Sequence, residues 1–152
     1  MSKDPSSIKD IDSMLALNKN KRRHRLLDDH DFSQKAAELI RRIEKMNNPD
    51  KFLIKGKKKA ASKPGPVSRT RSAYIGVTRS SDYWQALITL KNRRSKRKTY
   101  IGSYKSELSA AKAFDLYSIL LHSLSAKTNF SYSVSSLLQL LRDFRRSQSA
   151  SI

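Results

Sequence analysis

Between Tyr83 and Leu90 apolar and polar positions alternate. Trp84, Ala86, Ile88 and Leu90 fall on one face of an extended chain, and Gln85, Leu87 and Thr89 on the other. A period of two in a β-rich run is the pattern of a half-buried strand. Tyr74-Ile75-Gly76-Val77 before it and Lys98-Thr99-Tyr100-Ile101-Gly102-Ser103-Tyr104 after it read as further short strands. From Ser106 the period changes: Ala110, Phe114, Tyr117, Leu121 and Leu124 recur at steps of four and three, one stripe of a helix. Ser106 suits the N-cap, and Glu107 suits the positive end of the helix dipole. Strands with one apolar face and a helix with one apolar stripe bury both when the helix lies across the sheet. The predicted class is α+β, with the opposite sheet face left to solvent or to a partner.

The flanks carry their own periodicity. Ser33 can cap a helix in which Ala36, Ile40 and Ile43 share a face, with Phe32 and Met46 at its ends and a stop near Asn47-Asn48-Pro49. Val134, Leu137, Leu138, Leu141 and Phe144 form a C-terminal helical stripe ending in Arg145-Arg146, with Ser133 or Ser135 as cap. Residues 6–17 hold a shorter stripe, Ile8, Ile11 and Leu15, capped by Ser6 or Ser7. From Lys55 to Arg71, through Lys63-Pro64-Gly65-Pro66, no apolar periodicity exists, which describes an extended linker. The expected organisation is a helical N-terminal region at 1–50, a basic linker at 51–72, the sheet-and-helix domain at 73–131, and a C-terminal amphipathic helix with its tail at 132–152. A small sheet-and-helix unit offers little area to cover both outer stripes, so the helices at 32–46 and 134–144 are expected to meet protein partners. The C-terminal helix has the alternative of completing the small core.

Charge sharpens this picture. The chain has 32 Lys and Arg against 13 acids, a net +19, and the excess is local. Residues 1–50 hold 11 cations and 9 acids, whereas residues 51–152 hold 21 and 4. An excess of that size in one region predicts a polyanionic partner. A membrane is the competing polyanion, but no apolar run approaches the roughly 20 residues of a spanning helix, and no lipidation signal appears. The absence of Cys removes thiolate chemistry, disulfides and most structural zinc sites. Met1-Ser2-Lys3-Asp4-Pro5 lacks the apolar core of a signal peptide, which points to an intracellular compartment. Lys19-Asn20-Lys21-Arg22-Arg23-His24-Arg25 has the composition of a nuclear localisation signal, so the nucleus is the expected site.

Catalytic chemistry finds no foothold. His24, His30 and His122 are not in metal-ligand or HNH-like spacing, and there is no glycine-rich phosphate loop or nucleophile–base pair. Asp28-Asp29-His30-Asp31 has metal-ligand residue types, but acids just ahead of a helix are more simply explained by the helix dipole. The expectation is a protein without catalytic activity, metal or cofactor.

The segment Lys91-Asn92-Arg93-Arg94-Ser95-Lys96-Arg97-Lys98 carries six cations in eight residues at a predicted hairpin tip, with Tyr83 and Tyr100 flanking it. A twisted three-stranded sheet with a basic rim is of the size that enters a major groove. The residues Tyr74-x-Gly76-Val77, Trp84-x-Ala86-x-Ile88, Tyr100-Ile101-Gly102-x-Tyr104, Ser106-x-x-x-Ala110-Ala111-x-Ala113-Phe114-Asp115 and Asn129-Phe130 together resemble the AP2/ERF DNA-binding domain, over 57 of the 152 residues. The resemblance implies a three-stranded antiparallel sheet packed on one helix, with the sheet reading double-stranded DNA. It also implies where contacts should fall. Arginines that the plant family carries in the first strand are here Ile75, Thr78 and Ser80, with Arg79 the nearby arginine. A Glu and an Arg of the second strand become Leu87 and Thr89, an Arg and a Trp of the third become Lys98 and Tyr100, and Ser103 takes a phosphate-contacting Thr position.

The candidate DNA-binding residues are therefore Arg69 and Arg71 in the linker, Thr78, Arg79 and Ser80 in the first strand, and Gln85 and Thr89 in the second. Arg93, Arg94, Lys96, Arg97 and Lys98 follow in the connector, then Tyr100 and Ser103 in the third strand. Bidentate arginines give the strongest base discrimination, and their loss argues against a GC-rich plant-like target. The expected role is the DNA-binding accessory subunit of a larger nuclear complex, such as a DNA-modifying or chromatin complex, or a transcription regulator. An RNA-binding or ribosome-associated protein is the alternative, with bases stacked on Tyr83, Tyr100 or Trp84.

Overall fold

The central strands pair in antiparallel fashion. A computed structural model of the chain describes residues 32–57, 72–91 and 93–150. The helix expected at 6–17, the basic cluster at 19–25, the Asp28–Asp31 group and the Pro-Gly-Pro stretch lie outside the described residues. In chain order the elements are α1 (Phe32–Glu44), β1 (Phe52–Ile54), β2 (Val77–Ser80), β3 (Tyr83–Lys91), β4 (Lys96–Tyr104), α2 (Glu107–His122), a single 3-10 turn (Ser123–Ser125), β5 (Tyr132–Ser133) and α3 (Val134–Ala150). Strands β2, β3 and β4 form the expected three-stranded antiparallel sheet in sequence order. The β2–β3 link is the two-residue turn Ser81-Asp82, with Ser81 in the left-handed region at φ 52°.

Pairs such as Val77 opposite Ala86 and Ile88 opposite Thr99 are buried and define the covered face of the sheet. The alternation is interrupted once. Ala86 opposes Gly102 and Leu87 opposes Tyr100, so Ile101 is an extra residue on β4. This bulge lets Ile101 reach the core, where it is fully buried.

Helix α2 departs from the one-stripe expectation. Its N-cap is Ser106 as predicted, accepting from the Ser109 N–H at 3.0 Å. Yet every residue from Ala110 to Leu120 is buried, Lys112, Asp115 and Ser118 included, while Leu121 and Leu124 at the end of the proposed stripe are only half-buried. The cause is a second packing layer. The sheet covers one side of α2, and α1 and α3 approach the other: the Tyr117 ring meets Phe32 edge-on at 5.2 Å and Phe144 at 6.4 Å.

The outer helices therefore bury their stripes within the chain. Phe32, Ala36, Leu39, Ile40 and Ile43 of α1 and Val134, Leu137, Leu140, Leu141 and Phe144 of α3 join one core cluster with the sheet and α2. This corrects the expectation that the helices at 32–46 and 134–144 present apolar docking surfaces: those faces are already covered. Ser33 lies inside α1 and does not cap it. Ser133 caps α3, since its Oγ accepts from the Ser136 N–H at 3.2 Å while the Ser136 Oγ accepts from the Ser133 N–H at 2.7 Å.

The segment expected to begin a linker also belongs to the core. β1 pairs with β5, Phe52 opposite Ser133 and Ile54 opposite Tyr132, and Ile54 is buried. Gly56 lies so close to the returning chain that an added Cβ would sit 2.6 Å from the Asn129 carbonyl oxygen. Packing thus runs without a seam across the boundaries expected at 50 and 131.

Because the helical layer shares the core of the sheet, Ile43→Ala and Leu141→Ala should each lower unfolding free energy by about 2–5 kcal/mol. Each should do so in a single cooperative transition seen by both far-UV circular dichroism and Trp84 fluorescence. Loss of helical signal with the Trp84 transition unmoved would mean that the two layers fold independently.

Candidate nucleic-acid interface

Directly opposed residues in an antiparallel ladder project to the same face, so the register sorts the candidate residues. Thr78 opposes Gln85, Ser103 opposes Gln85 from the other side, Tyr100 opposes Leu87, and Lys98 opposes Thr89. With Ser80 and Lys96 these lie on the face turned away from α2. Lys91 opposes Lys96 there too. It adds to the candidates expected from sequence, and its alternation with Thr89 is the signal for it.

Two arginines fall elsewhere. Arg79 opposes Trp84 and so belongs to the Val77 face; its guanidinium carbon sits 5.6 Å from the Trp84 ring centre. Its Nε donates to the Ser81 carbonyl at 3.4 Å. Arg97 opposes Leu90 and shares the parity of buried Thr99. Both side chains are exposed, but by register they belong to the face that carries Val77 and Thr99, not to the face of Thr78, Gln85 and Thr89, which corrects the grouping made from sequence. Ser103 needs a correction of another kind: it is 6% exposed and its hydroxyl is hydrogen-bonded to the Tyr100 hydroxyl at 2.7 Å. It orients Tyr100 and does not present itself to a ligand. Arg69 and Arg71 lie outside the described residues.

The charge is concentrated where the sheet outruns its helix. Lys91, Arg93, Arg94, Lys96, Arg97 and Lys98 are all exposed, and no acid occurs between Tyr83 and Lys105. Of the aromatic candidates, Tyr83 is exposed, while Tyr100 and Trp84 are half-buried. No group of three or more metal-ligating side chains forms among the described residues, and none of their helices is long and apolar enough to cross a membrane.

Behind this face, one buried carboxylate holds the sheet to the returning chain. Asp115 on α2 accepts at Oδ1 from the Asn129 N–H (2.6 Å) and Nδ2 (3.2 Å). At Oδ2 it accepts from the Phe130 N–H (3.0 Å) and the Tyr132 hydroxyl (2.9 Å). Asn129 in turn accepts from the Ile75 N–H at 2.6 Å and donates to the Ile75 carbonyl at 3.1 Å. Next to Ile75, Gly76 has φ 76°, and a Cβ there would strike the Phe114 ring and come within 2.8 Å of the Leu87 carbonyl oxygen. Only glycine suits both the angle and the space.

No family model, curated protein or solved structure matches this chain.

Burial pushes the Asp115 carboxyl from its ordinary 3.8 up to about 7, against four hydrogen bonds that favour the ionised form. Burial raises the Tyr132 hydroxyl as well, reinforced by the neighbouring Asp115 charge. Between the two Asp115 values the folded protein retains a proton that the unfolded chain has released. The contribution is full below about pH 4 and is lost as pH rises through about 7, with a slope of at most about 1.4 kcal/mol per pH unit. Urea denaturation at a series of pH values should show this decline in the wild type. Asp115→Asn should remove the decline and also lower stability by about 2–4 kcal/mol, because an amide group then opposes backbone donors. Equal slopes in the two proteins would place the titration elsewhere.

Proposed function

We propose that this chain binds double-stranded DNA in the manner of an AP2/ERF-like domain, with the open face of the β2–β3–β4 sheet in the major groove and the β3–β4 hairpin against phosphates. The observation that carries this reading is the distribution of charge on the sheet. One face is covered by α2, the other is open, and the hairpin ending it bears six exposed cations with no acid nearby. Polyanion binding of this kind depends on counterion release. The outward side chains Thr78, Ser80, Gln85 and Thr89 are short or neutral and include no arginine fork, so phosphate contacts supply most of the affinity. Gln85 is the residue with the chemistry for a bidentate contact to adenine.

Duplex is favoured over single-stranded RNA by the state of the aromatics. Stacking platforms need several open rings, whereas Tyr83 alone of the three candidates is exposed: Trp84 is half-buried beneath Arg79, and Tyr100 is half-buried and tied to Ser103. The DNA-gripping role suits a nuclear transcription regulator and an accessory subunit of a nuclear complex alike. The covered stripes of α1 and α3 no longer give a reason to prefer the subunit.

Neutralising about five phosphates gives a slope near −4.5 in log affinity against log salt. Changing Arg93, Arg94, Lys96 and Arg97 together to Ala should flatten the slope by about 3 to 4 and weaken all duplex sequences alike. Fluorescence anisotropy with labelled duplexes at several salt concentrations measures both quantities. A slope unchanged in the quadruple variant removes the hairpin from the interface, and tighter binding to single-stranded RNA than to duplex DNA defeats the duplex reading.

A further inference from the structure

Among the described residues, nothing completes one edge of the sheet. Asn129 holds Ile75 off the sheet, so β2 starts only at Val77, and β3 runs on from Ile88 to Lys91 with β4 alone beside it. The last link on the β2 side is the Leu87 N–H to the Gly76 carbonyl at 2.8 Å. Within a strand the N–H and C=O of one residue point to the same side, and successive residues alternate. Ile88 and Leu90 therefore pair with β4, whereas Thr89 directs both backbone groups to the side where β2 is missing.

That edge forms one wall of a cleft of about 610 Å³ between the sheet and the C-terminal end of α2. Val77, Ile88 and Phe114 give it an apolar floor. Lys91, Lys98, His122 and Lys127 stand around it, and its lining contains no acid.

We propose that this cleft is a docking groove for an acidic peptide, which adds to β3 as a fourth strand. The Thr89 backbone would complete the ladder. Alternate peptide side chains would face the apolar floor, and carboxylates would meet the lysines. The other occupants fit less well. Nucleic acid has no backbone ladder to offer Thr89 and gains nothing from an apolar floor. A second copy of this chain would bring Lys91 against Lys91 between two molecules that each carry +19. A basic occupant such as the sequence at 55–71 would meet the same repulsion. The proposal does not depend on the DNA-binding reading, since it rests on the strand edge and the cleft.

The test uses the full chain and three labelled probes. The first is an acetylated octapeptide alternating valine with aspartate or glutamate. The second is the same peptide N-methylated on the amides that would face β3, and the third is octaglutamate. The alternating peptide should protect the Thr89 amide from hydrogen exchange and bind at least about tenfold more tightly than either other probe, as expected when two ladder hydrogen bonds are at stake. Lys91→Glu with Lys127→Glu should weaken it by at least about fivefold. Thr89→Pro removes the outward N–H while leaving the β4 ladder intact, and should reduce binding to the level of the N-methylated probe. Should that variant fail to fold, the N-methylated probe makes the same comparison on the unaltered protein. Equal binding of all three probes would show attraction by charge alone and overturn the proposal. So would an unprotected Thr89 amide, or its protection by a short duplex DNA in place of the peptide.

Discussion

Asp115 is a carboxylate with no access to solvent, and its hydrogen bonds set the geometry of everything around it. A buried carboxylate is tolerable only when its oxygens are supplied with donors. Here Asn129, Phe130 and Tyr132 supply all four. The consequence reaches beyond α2. Asn129, fixed by Asp115, grips both backbone groups of Ile75 and so fixes where β2 can start. Tyr132, fixed at its hydroxyl, pairs through its backbone with Ile54 and brings β1 onto the structure. Leaving one oxygen of such a buried carboxyl without its donor generally costs about 1–3 kcal/mol, and more when the group is ionised. Here the loss would release three chain segments together.

The layering decides which surfaces are covered. α2 lies between the sheet and the α1–α3 pair, so the sheet is left with one broad uncovered face. The last fully buried pair is Ile88–Thr99; beyond it Leu90 is half-buried against the core, no described residue of the hairpin is fully buried, and the hairpin carries six like charges. Such a hairpin repels itself, and its ladder is maintained by a core that lies at one end of it. Phosphates along a duplex would relieve that repulsion while the ladder keeps the cations in place. Segments with few buried contacts generally open more readily than the core that supports them.

Much of this was legible in residue order. The alternation from Trp84 to Leu90 identified the covered face of β3, Ser106 was recognisable as a cap, and the helical stripes at 32–46 and 134–144 were real. What failed has physical reasons. A period of 3.6 marks the buried side of a helix that has one neighbour; α2 has neighbours all round, so its stripe gave way to complete burial from Ala110 to Leu120. Phe52-Leu53-Ile54 is too short a run to register as a strand, and only its partner Tyr132-Ser133 makes it one. The placement of Arg79 depends on strict alternation from Val77 through a two-residue turn, which a comparison by residue type does not capture. The pieces Tyr74-x-Gly76-Val77, Phe114-Asp115 and Asn129-Phe130 were legible as parts of one pattern, but residue order does not say which of them touch. In the fold they meet, with Tyr74 against Phe130 at 5.5 Å, Gly76 over Phe114, and Asp115 on Asn129.

The open face and the open edge are not independent surfaces. Thr78, Thr89 and Lys98 line the cleft at the sheet edge and also project from the face away from α2. A duplex on the face and an acidic strand in the groove would place two sets of negative charge within a few ångströms of the same lysine. At that separation their repulsion is only partly screened at physiological salt, where the Debye length is about 8 Å. Binding of each ligand must then weaken the other by the same factor, since coupling between two sites is reciprocal. An acidic segment in the groove would thus release DNA without touching the hairpin, and DNA on the face would in turn expel the acidic segment. The strand edge left open by the hold of Asn129 on Ile75 would then act as a control point for the neighbouring face.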